Sequence, residues 1–580
     1  MNRKKSHTLL RFLEGYGRQS ILAPLFKLLE ALLDLLVPLV VADIINVGIA
    51  QGDVPYLLRR CGILILLGIV GLACSITAQW FAAEAAIGYA TAMRHALFRH
   101  VQTLDFAQMD TLGSSTLITR LTSDINQVQN GLNMALRLFL RSPFIVFGSV
   151  VMAFAIDRRT ALIFVAAVPL LSLIVFGLMR LTSPLYRRVQ GQLDRVLRLT
   201  RENLTGVRVV RAFGREAEEE RQFRQENQQL TKLQLLVGRL SALMNPLTYV
   251  VVNLAIVAVL YVGAQQVEGG ALLSGDVYAL VSYMSQILVE LVKLANVIVL
   301  TSKALACAGR VQAVLDLEPQ MQFPAEEAPM EGPEAVSFRD VELTYAGADG
   351  ASLQEINFSV PRGATFGIIG GTGSGKTSVV HLIPRFYDAT AGRVCLFGRD
   401  VRDYPKEQLR DAVGVVMQRA QLFSGTIRSN LLWGNENAGE ADLWAALETA
   451  QAAEFVRSKP LGLDEPVEQG GRNLSGGQRQ RLTIARALVK KPKILILDDS
   501  ASALDFATDA ALRKALRALP GDMTVVIVSQ RTSSLQHADQ ILVLEDGKQA
   551  GLGSHRQLLE TCPVYREIYD SQFQRGGAGA

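Results

Sequence analysis

The sequence predicts two parts, an α-helical membrane domain with six transmembrane helices and, after it, an α/β domain. Three observations lead to this fold class. Six apolar stretches of roughly bilayer-spanning length fall in the first half of the chain. A segment rich in proline and glutamate follows them, and the hydropathy drops beyond it. In the second half, short β-rich runs alternate with helical segments, as in a mostly parallel sheet covered by helices. These runs are Thr365–Ile369, Val413–Met417, Ile494–Leu497 and Thr524–Val528.

The composition favours membrane spans. The 580 residues are 49% hydrophobic and only 19% charged, which is too apolar for an ordinary soluble protein. The net charge of +5 would also suit nucleic-acid binding, but the basic residues lie where membrane topology places them, so no nucleic-acid partner is expected. The five cysteines form no C-x-x-C pair, and neither disulfides nor zinc are expected: Cys61, Cys74, Cys307, Cys395 and Cys562.

The predicted spans differ in the charges they carry. Lys27, Glu30 and Asp34 share one helical face of the first span, which is therefore partly interfacial or lines a polar interior. Glu290 and Lys293 in the last span either pair with each other, snorkel to the interface, or contact a charged or amphipathic substrate. The six spans are Ile21–Ala50, Gly62–Ala83, Ser142–Ile156, Thr160–Met179, Met244–Ala264 and Val277–Leu300.

Basic residues set the predicted orientation. The run Met1–Lys5 is basic and no apolar stretch with a cleavage site follows it, so we expect a cytoplasmic N-terminus without a removable signal peptide. The arginine-rich stretch Arg187–Arg239 is also expected in the cytoplasm. The segments Asn46–Val54 and Gln265–Asp276 contain no Lys or Arg and are expected to face outward.

Long polar stretches separate some of the spans. Tyr89–Asn130 and Leu181–Leu240 have helical periodicity and are too long for ordinary loops, so spans two to five are predicted to continue as helices into the cytoplasm. Leu317–Glu334 contains four prolines and reads as a linker. The expected division is a membrane domain over 1–316, a linker over 317–334 and a second domain over 335–580.

The second domain contains a phosphate-binding loop. An apolar run, F-G-I-I, is followed by G-x-x-x-x-G-K-T and then by a helical segment, which is the context that this motif requires. Its glycines let backbone N–H groups turn toward phosphates, while the lysine can reach the β and γ oxygens and the threonine can ligate Mg²⁺. The predicted binding residues are Gly370, Gly371, Thr372, Gly373, Ser374, Gly375, Lys376 and Thr377.

Two adjacent carboxylates end a later apolar run, Ile494–Leu497. The first, Asp498, is predicted to be the Mg²⁺ partner, because a carboxylate at a strand end beside a phosphate loop has that role in P-loop ATPases. ATP and Mg²⁺ are thus the predicted ligands. The complete fold class is a polytopic α-helical membrane domain with long cytoplasmic extensions, followed by an α/β P-loop nucleotide-binding domain in the cytoplasm.

These motifs, together with Gln418 in V-V-M-Q and the sequence L-S-G-G-Q, resemble the ATP-binding cassette (ABC) proteins. The resemblance implies that Tyr345 stacks on adenine, and that Thr377, Gln418 and Asp498 hold the metal. It also implies a second nucleotide contact from Ser475, Gly476, Gly477, Gln478 and Asp505.

The membrane half is similar to ABC exporters of the six-span half-transporter type. The stretches Leu117–Gln129 and Gly206–Glu216 look like their two cytoplasmic loops, so the likeness runs from about Ile21 to the late 560s. In that family each ATP lies between one chain's phosphate loop and the other chain's L-S-G-G-Q. A second half-transporter chain, membrane lipid and a small amphipathic substrate are therefore the implied partners. Short coupling helices in the loops would press on the nucleotide domains.

Two positions depart from the family pattern. Most members have Glu after the Mg²⁺-site Asp, where it orients the attacking water, but this chain has Asp499. Its carboxylate is one methylene short, and a misplacement of about 1 Å costs on the order of a hundredfold in rate. Most members also have His before a later Arg, whereas this chain has Gln530, which carries no positive charge.

Both departures affect hydrolysis and leave the binding residues in place. The resulting hypothesis is an exporter subunit whose own site, with Asp499 and Gln530 in the catalytic positions, binds ATP but hydrolyses it slowly. Its L-S-G-G-Q would complete the active site of a non-identical partner that supplies the hydrolytic glutamate. The alternatives are a homodimeric exporter that tolerates Asp499, an ATP-gated regulatory or channel-like subunit, and an importer of the same architecture. Drug-like, lipid and peptide substrates all remain open.

Overall fold

The computed structural model describes residues 9–519 and 521–573. The basic run Met1–Lys5, which sets the expected position of the N-terminus, lies outside these residues. The chain divides into two compact units. The first comprises the residues up to 102 together with 115–317, and the second comprises 103–114 together with the residues from 318 onward. A short segment between two long helices thus belongs to the second unit.

The first half of the chain is helical throughout. Five helical stretches are long and apolar enough to cross a membrane in the described part of the chain: Val54–Val101, Ser114–Ile156, Arg158–Thr205, Glu216–Glu268 and Ser274–Leu315. The helices are α1 (Gly17–Asp43), α2 (Val54–Val101), α3 (Phe106–Leu112), α4 (Ser114–Thr119), α5 (Ile125–Leu138), α6 (Arg141–Ile156), α7 (Arg158–Thr205), α8 (Val207–Ala212), α9 (Glu216–Ala242), α10 (Met244–Glu268) and α11 (Ser274–Leu315).

Five of the six predicted spans fall within these stretches, and their predicted extension into long helices is confirmed. The helices α2 and α7 are each 48 residues long, about 72 Å at 1.5 Å per residue and more than twice the thickness of the hydrocarbon core. The first predicted span covers most of α1 and the π-helical turn Ile44–Ile49 that follows it, but α1 is not among the five apolar stretches, because it carries three charged residues within eight positions.

The core of the membrane unit lies where α1, α6, α7, α10 and α11 meet. Small residues such as Ala31, Ala153 and Ala279 are fully buried there and allow the helices to approach closely. Tyr283 is also fully buried, and its hydroxyl donates a hydrogen bond of 2.6 Å to the carbonyl oxygen of Leu35. This bond satisfies the phenol in an apolar setting and fixes α11 against α1.

A charged network crosses this core. Arg141 at the start of α6 donates to Asp34 on α1 at 2.8 Å and to Glu290 on α11 at 2.6 Å. The side chains of Arg141 and Glu290 are only 10% and 5% exposed, and Ser142 also donates to Glu290. Lys293 pairs with Glu290 at 2.9 Å, which is one of the three alternatives that the sequence left open.

The charges of α1 line a polar interior, one of the two predicted alternatives. Lys27 pairs with Glu30 at 2.5 Å, and both side chains are nearly buried. The sequence analysis missed Arg141 as the partner of these acids, because it lies one residue before the predicted third span. Its guanidinium is suited to the centre of the network, since it offers five donors in a planar fork.

Replacing Arg141 with alanine is expected to destabilise the membrane unit. The change leaves Glu290 and Asp34 without their shared cation, and removing one partner of a buried ion pair costs about 3–5 kcal/mol. A thermal unfolding scan of the detergent-solubilised chain measures this effect as a lower Tm. Arg158→Ala serves as the control, because Arg158 is exposed at the start of α7. Equal melting temperatures for the two variants would contradict the structural role of the network.

The second unit contains a ten-stranded sheet in its described part, in the order β5-β4-β1-β2-β12-β11-β3-β10-β9-β6, and a separate pair of β7 and β8. The strands are β1 (Glu334–Leu343), β2 (Leu353–Pro361), β3 (Thr365–Gly370), β4 (Ala391–Leu396), β5 (Arg399–Asp400), β6 (Val413–Val416), β7 (Gly425–Thr426), β8 (Pro466–Val467), β9 (Ile494–Asp498), β10 (Thr524–Val528), β11 (Gln540–Glu545) and β12 (Lys548–Gly553).

The parallel part of the sheet is the part that the sequence predicted. Strands β11, β3, β10, β9 and β6 pair in parallel, and four of them coincide with predicted apolar runs. The prediction of a mostly parallel sheet did not include β1, β2, β4 and β5, which pair antiparallel. The strand β1 contains charged residues along its length, so it lacks the apolar run by which a buried parallel strand is recognised.

Helices cover both faces of this sheet. Alternate residues of β9 enter two apolar clusters, Ile494 and Ile496 on one face and Leu495 and Leu497 on the other. The helices are α12 (Lys376–Leu382), α13 (Lys406–Ala412), α14 (Ile427–Leu432), α15 (Glu440–Thr449), α16 (Ala453–Arg457), α17 (Gly476–Val489), α18 (Phe506–Arg517), α19 (His555–Thr561) and α20 (Pro563–Phe573). Burial of β9 on both faces places its last residue at the edge of a rigid core.

Candidate nucleotide-binding site

The phosphate loop runs from the end of β3 to the start of α12, as predicted. Gly375 precedes α12 with φ of +93°, and a Cβ there would also lie 2.7 Å from Leu353. A Cβ on Gly370 would lie 2.3 Å from the carbonyl oxygen of Leu544. These two positions require glycine, the first for its backbone conformation and the second for the close approach of β11.

Lys376 is folded back onto its own loop. Its side chain is buried, and Nζ donates to the carbonyl oxygens of Gly370 at 2.9 Å and Gly371 at 2.6 Å. Burial lowers the pKa of Lys376, although the carboxylates of Asp498 and Asp499 act in the opposite direction. The loop thus holds a desolvated ammonium group that an anionic phosphate would satisfy better than neutral carbonyl groups.

Asp498 ends β9 and is 2% exposed. The Thr377 hydroxyl donates to its Oδ1 at 3.4 Å, which brings together two of the residues expected to hold a metal. Burial raises the pKa of Asp498 to about 6, and the adjacent charge of Asp499 adds to this effect. Two neighbouring carboxylates with a hydroxyl beside them, in a partly desolvated place, form a site that a divalent cation would stabilise.

Asp499 is the next residue in the chain, but it has a different environment. It has φ of +45°, in the left-handed region that aspartate tolerates better than most residues. Its backbone N–H donates to the carbonyl oxygen of Val528 on β10 at 3.1 Å, and its carboxylate accepts from Gln418 at 3.3 Å. Burial raises its pKa, while the bond from Gln418 and the charges of Lys376 and Arg531 lower it.

Gln530 lies two residues beyond the end of β10 with an exposed side chain. Its backbone is anchored by α20, because the side-chain amide of Gln572 donates to the Gln530 carbonyl oxygen at 2.7 Å. Gln572 also accepts from the backbone and the hydroxyl of Thr532. The C-terminal helix thus fixes the loop that carries the second departing residue.

These side chains line one cavity of about 500 Å³, within the range of ligand-binding pockets. Ten of the predicted site residues contribute to it: Thr372, Gly373, Ser374, Gly375, Lys376, Thr377, Gln418, Asp498, Asp499 and Gln530. Six further lining residues were not predicted from the sequence: Ala351, Ser352, Ser378, Val528, Asp546 and Gly547. Asp546-Gly547 is recognisable as a turn dipeptide, but its place in the site follows only from the pairing of β11 with β3.

Other predicted site residues do not line this cavity. Ser475 and Asp505 cap helices, Ser475 accepting from the Gln478 N–H at 3.3 Å and Asp505 from the Thr508 N–H at 2.8 Å. Ser475 and Gly476 are exposed at the start of α17. Tyr345 is half-buried, and its hydroxyl donates to Ser378, which does line the cavity. Gly370 and Gly371 contribute through their bonds to Lys376.

A short helix, α3, lies before the first of the two stretches expected to contain coupling helices, not within it. The stretch Leu117–Gln129 forms the end of α4, a π-helical turn and the start of α5, whereas the short helix α3 precedes it. The signals for α3 are a D-x-x-Q capping box at Asp105 and a left-handed Gly113 at its end. The other short helix, α8, lies within Gly206–Glu216 as expected.

The residues present fit ATP and Mg²⁺. A buried ammonium is held by loop carbonyls and the Ser374 hydroxyl, another hydroxyl lies beside a buried carboxylate, and the cavity has room for a nucleotide. A P-loop domain of this kind, joined to a helical membrane domain, defines an ATP-driven membrane transporter.

Comparison with known proteins identifies the family. The model of the ABC transporter transmembrane region matches residues 20–291, and the ABC transporter model matches residues 353–502. An uncharacterized ABC transporter ATP-binding protein of Mycobacterium tuberculosis is 36% identical over 571 residues, covering 97% of each chain. The uncharacterized ABC transporter ATP-binding protein YfiB of Bacillus subtilis is 34% identical over 571 residues, covering 98% of this chain and 99% of its own. The chain belongs to the ABC transporter family.

Two further relatives extend the comparison. An ATP-dependent lipid A-core flippase of Haemophilus influenzae is 30% identical over 515 residues, which is 88% of this chain and 87% of the flippase. The structure of a bacterial Atm1-family ABC exporter with ATP bound superposes with a TM-score of 0.76, covering 98% of this chain and 99% of that one. At 24% identity, this last likeness shows the fold.

Replacing Lys376 with methionine is expected to weaken ATP binding about 10- to 100-fold, because a charge-assisted contact to phosphate is lost. The measurement is fluorescent ATP binding to the purified chain in the presence of Mg²⁺. Lys491→Met is the matched control, since Lys491 is an exposed lysine of the same unit and does not line the cavity. Unchanged affinity in the Lys376 variant would contradict the assignment of the cavity.

Proposed function

We propose that this chain is one subunit of an ATP-driven exporter and that its own nucleotide site binds ATP but hydrolyses it slowly. Its L-S-G-G-Q motif completes the fast site of a non-identical partner chain, which supplies the hydrolytic glutamate. The observation that carries the proposal is the position of Asp499, inside the cavity and fixed in its backbone but with a carboxylate too short for the catalytic role.

The backbone of Asp499 is fixed and does not move to make up for the short side chain. The bond between its N–H and Val528 ties it to β10, which is held on both sides by β3 and β9. The Asp499 carboxylate lies 3.3 Å from the Gln418 amide and so interacts with a neighbouring residue of the site. A water positioned for a glutamate would lie beyond its optimal reach, and loss of this alignment slows attack on the γ-phosphate.

Gln530 also lines the cavity and weakens the same step. An amide at this position donates a hydrogen bond to a phosphate oxygen but adds no positive charge as negative charge redistributes in the transition state. Because α20 anchors its backbone, the side chain stays at the cavity edge. Both catalytic positions thus retain hydrogen-bonding groups and lose the features that accelerate hydrolysis.

The groups for nucleotide binding are complete. Lys376 supplies the ammonium for the phosphates, and Thr377, Gln418 and Asp498 are the residues that would hold the metal. When bound, Mg²⁺ neutralises charge on the phosphate oxygens. A site that binds tightly and turns over slowly favours long-lived nucleotide occupancy, which holds one half of the transporter closed while the partner's site cycles.

The L-S-G-G-Q motif supports a role in the partner's site. Leu474 is buried and anchors the motif, while Ser475 and Gly476 at the start of α17 are exposed and outside this chain's own cavity. Gly477 approaches the loop after β9, since a Cβ on it would lie 3.2 Å from the Ala503 carbonyl oxygen. Exposed backbone N–H groups at a helix start are suited to a phosphate presented by a second chain.

The homodimeric exporter is the second candidate. It is favoured by the fact that the Asp499 carboxylate does line the cavity, so that two equal and slower sites could form. For the substrate we propose an amphipathic lipid-like molecule. The support is full-length similarity to lipid A-core flippases and a membrane unit that combines an apolar core with a charged network.

The double change Asp499→Glu and Gln530→His is expected to convert the slow site into a fast one, raising its turnover on the order of 10- to 100-fold. The experiment measures single-turnover hydrolysis and retained ATP in the transporter assembled with its co-purifying chain. Because Glu is less suited than Asp to φ of +45°, the Tm of each variant is recorded as a folding control. Unchanged occupancy and turnover would refute the roles given to both residues.

A second test separates this chain's cavity from its L-S-G-G-Q motif. Gly477→Asp is expected to reduce turnover of the assembled pair at least about tenfold, since a carboxylate beside phosphate is repulsive, while ATP retained at this chain's cavity persists. The matched variant Lys376→Met should instead lose the ATP that is retained at this chain's cavity. If only one chain species co-purifies and either variant abolishes both retention and turnover, the homodimeric candidate is the correct one.

A further inference from the structure

Gln572, near the end of α20, contacts the loop that carries Gln530 with both ends of its side-chain amide. Its Oε1 accepts from the backbone N–H and from the hydroxyl of Thr532, each at 2.9 Å. Its Nε2 donates to the Gln530 carbonyl oxygen at 2.7 Å. The donor and acceptor capacity of one amide is thus used to tie two positions of this loop to a single helix.

The spacing along α20 places Gln572 on the apolar face of the helix. Tyr565 is fully buried, and Ile568 packs on the same apolar cluster. Gln572 follows Ile568 by four positions, and residues three or four positions apart share a helical face. A further apolar residue would continue this face, so a polar amide at this position indicates a function in hydrogen bonding.

Thr532 makes the contact important for the loop. It is 0% exposed, whereas Gln572 itself is exposed and lies over it. The bonds that the Thr532 N–H and hydroxyl donate both go to Gln572. Buried donors without an acceptor are unfavourable, so the loop keeps this arrangement only while the amide is in place.

Other elements hold the two ends of the loop. The Ser529 N–H donates to a carbonyl oxygen of β3 at 3.1 Å. At the far end, the buried Ser534 hydroxyl donates to Asp509 of α18 at 3.1 Å. Gln572 bonds the part between them, and this part includes Gln530, whose side chain lines the cavity.

The groups expected to bind the phosphates and the metal are held by separate contacts. Lys376 donates to the carbonyl oxygens of Gly370 and Gly371, and Thr377 donates to Asp498. None of these bonds involves α20. A change at Gln572 should therefore reach Gln530 and leave the phosphate loop as it is.

We propose that Gln572 is a positioning residue for ATP hydrolysis, which holds the loop 530–532 so that the Gln530 side chain stays in the cavity. The inference rests on the proposed role of Gln530 in the hydrolytic step. Gln572 touches no reacting atom. All of its contacts are with protein groups, so it orders the loop in advance, and a preordered donor helps catalysis more than one that must be ordered during the reaction.

Single-turnover hydrolysis by the transporter, assembled with its co-purifying chain, tests the proposal. Gln572→Leu keeps a side chain of similar size on the apolar face but provides neither donor nor acceptor. The slow phase, from this chain's cavity, is expected to fall about fivefold, while the fast phase of the partner's site is unchanged. The affinity for ATP should stay within about twofold of the wild type, because the phosphate loop is not altered.

Two further variants show which contact matters. Gln572→Glu keeps the acceptor for Thr532 and loses the donor to Gln530, so it should lower the slow phase only about twofold. In a Gln530→Ala background, Gln572→Leu should have no further effect, because the side chain that it positions is gone. A merely structural role would lower the rate in both backgrounds.

Ser571→Ala is the matched control. Ser571 is the neighbouring exposed residue on α20, and its hydroxyl bonds to the carbonyl oxygen of Ile568 within the same helix. This variant should keep the wild-type rate, affinity and Tm. It separates the contact with the loop from small changes in the stability of α20.

The outcomes distinguish this proposal from the function on which it rests. An unchanged slow phase in Gln572→Leu would overturn the positioning role and leave the slow site intact. Parallel losses of rate, ATP affinity and Tm in both Gln572 variants would overturn it too, since they indicate a structural role. If Gln530→Ala hydrolyses ATP normally, the role given to Gln530 is wrong and the positioning role falls with it. If the wild type shows one phase only, the homodimeric candidate is correct, and that phase should still fall about fivefold in Gln572→Leu.

Discussion

The site depends on the parallel register of three neighbouring strands. In this register Val528 on β10 lies beside both Ile368 on β3 and Asp498 on β9. Because parallel strands end at the same edge, the phosphate loop, the two aspartates and the loop with Gln530 all leave the sheet at one level. The strands are buried on both faces, so a shift of any one by a residue would move its side chains into the opposite core. The chemistry of the cavity is thus a consequence of core packing.

The parts of the fold that follow local patterns were predictable. The phosphate loop, β9 with its terminal Asp498, and the long helices all have signals within about twenty residues of sequence. The parts set by distant pairing were not. Asp546 and Gly547 reach the cavity because β11 pairs with β3, and Arg141 joins Asp34 and Glu290 across sequence separations of 107 and 149 residues. The antiparallel strands were missed because their charged residues hide the apolar alternation.

Asp499 lies where two constraints conflict in a hydrolytic site. Its left-handed backbone favours a short polar side chain, whereas catalysis at this position favours the reach of a glutamate. An aspartate at this position has a favourable backbone geometry, but its carboxylate does not reach as far as that of a glutamate.

The charged network of the membrane unit also has a consequence for biogenesis. During synthesis α1 leaves the ribosome with Lys27, Glu30 and Asp34 long before Arg141 exists, and Glu290 comes later still. At a translation rate of about 5–20 residues per second, the 107 residues between Asp34 and Arg141 correspond to a delay of roughly 5–20 s. Throughout that interval Asp34 has no partner in Arg141, so the charged network of α1 is completed only when α6 and α11 have been synthesised.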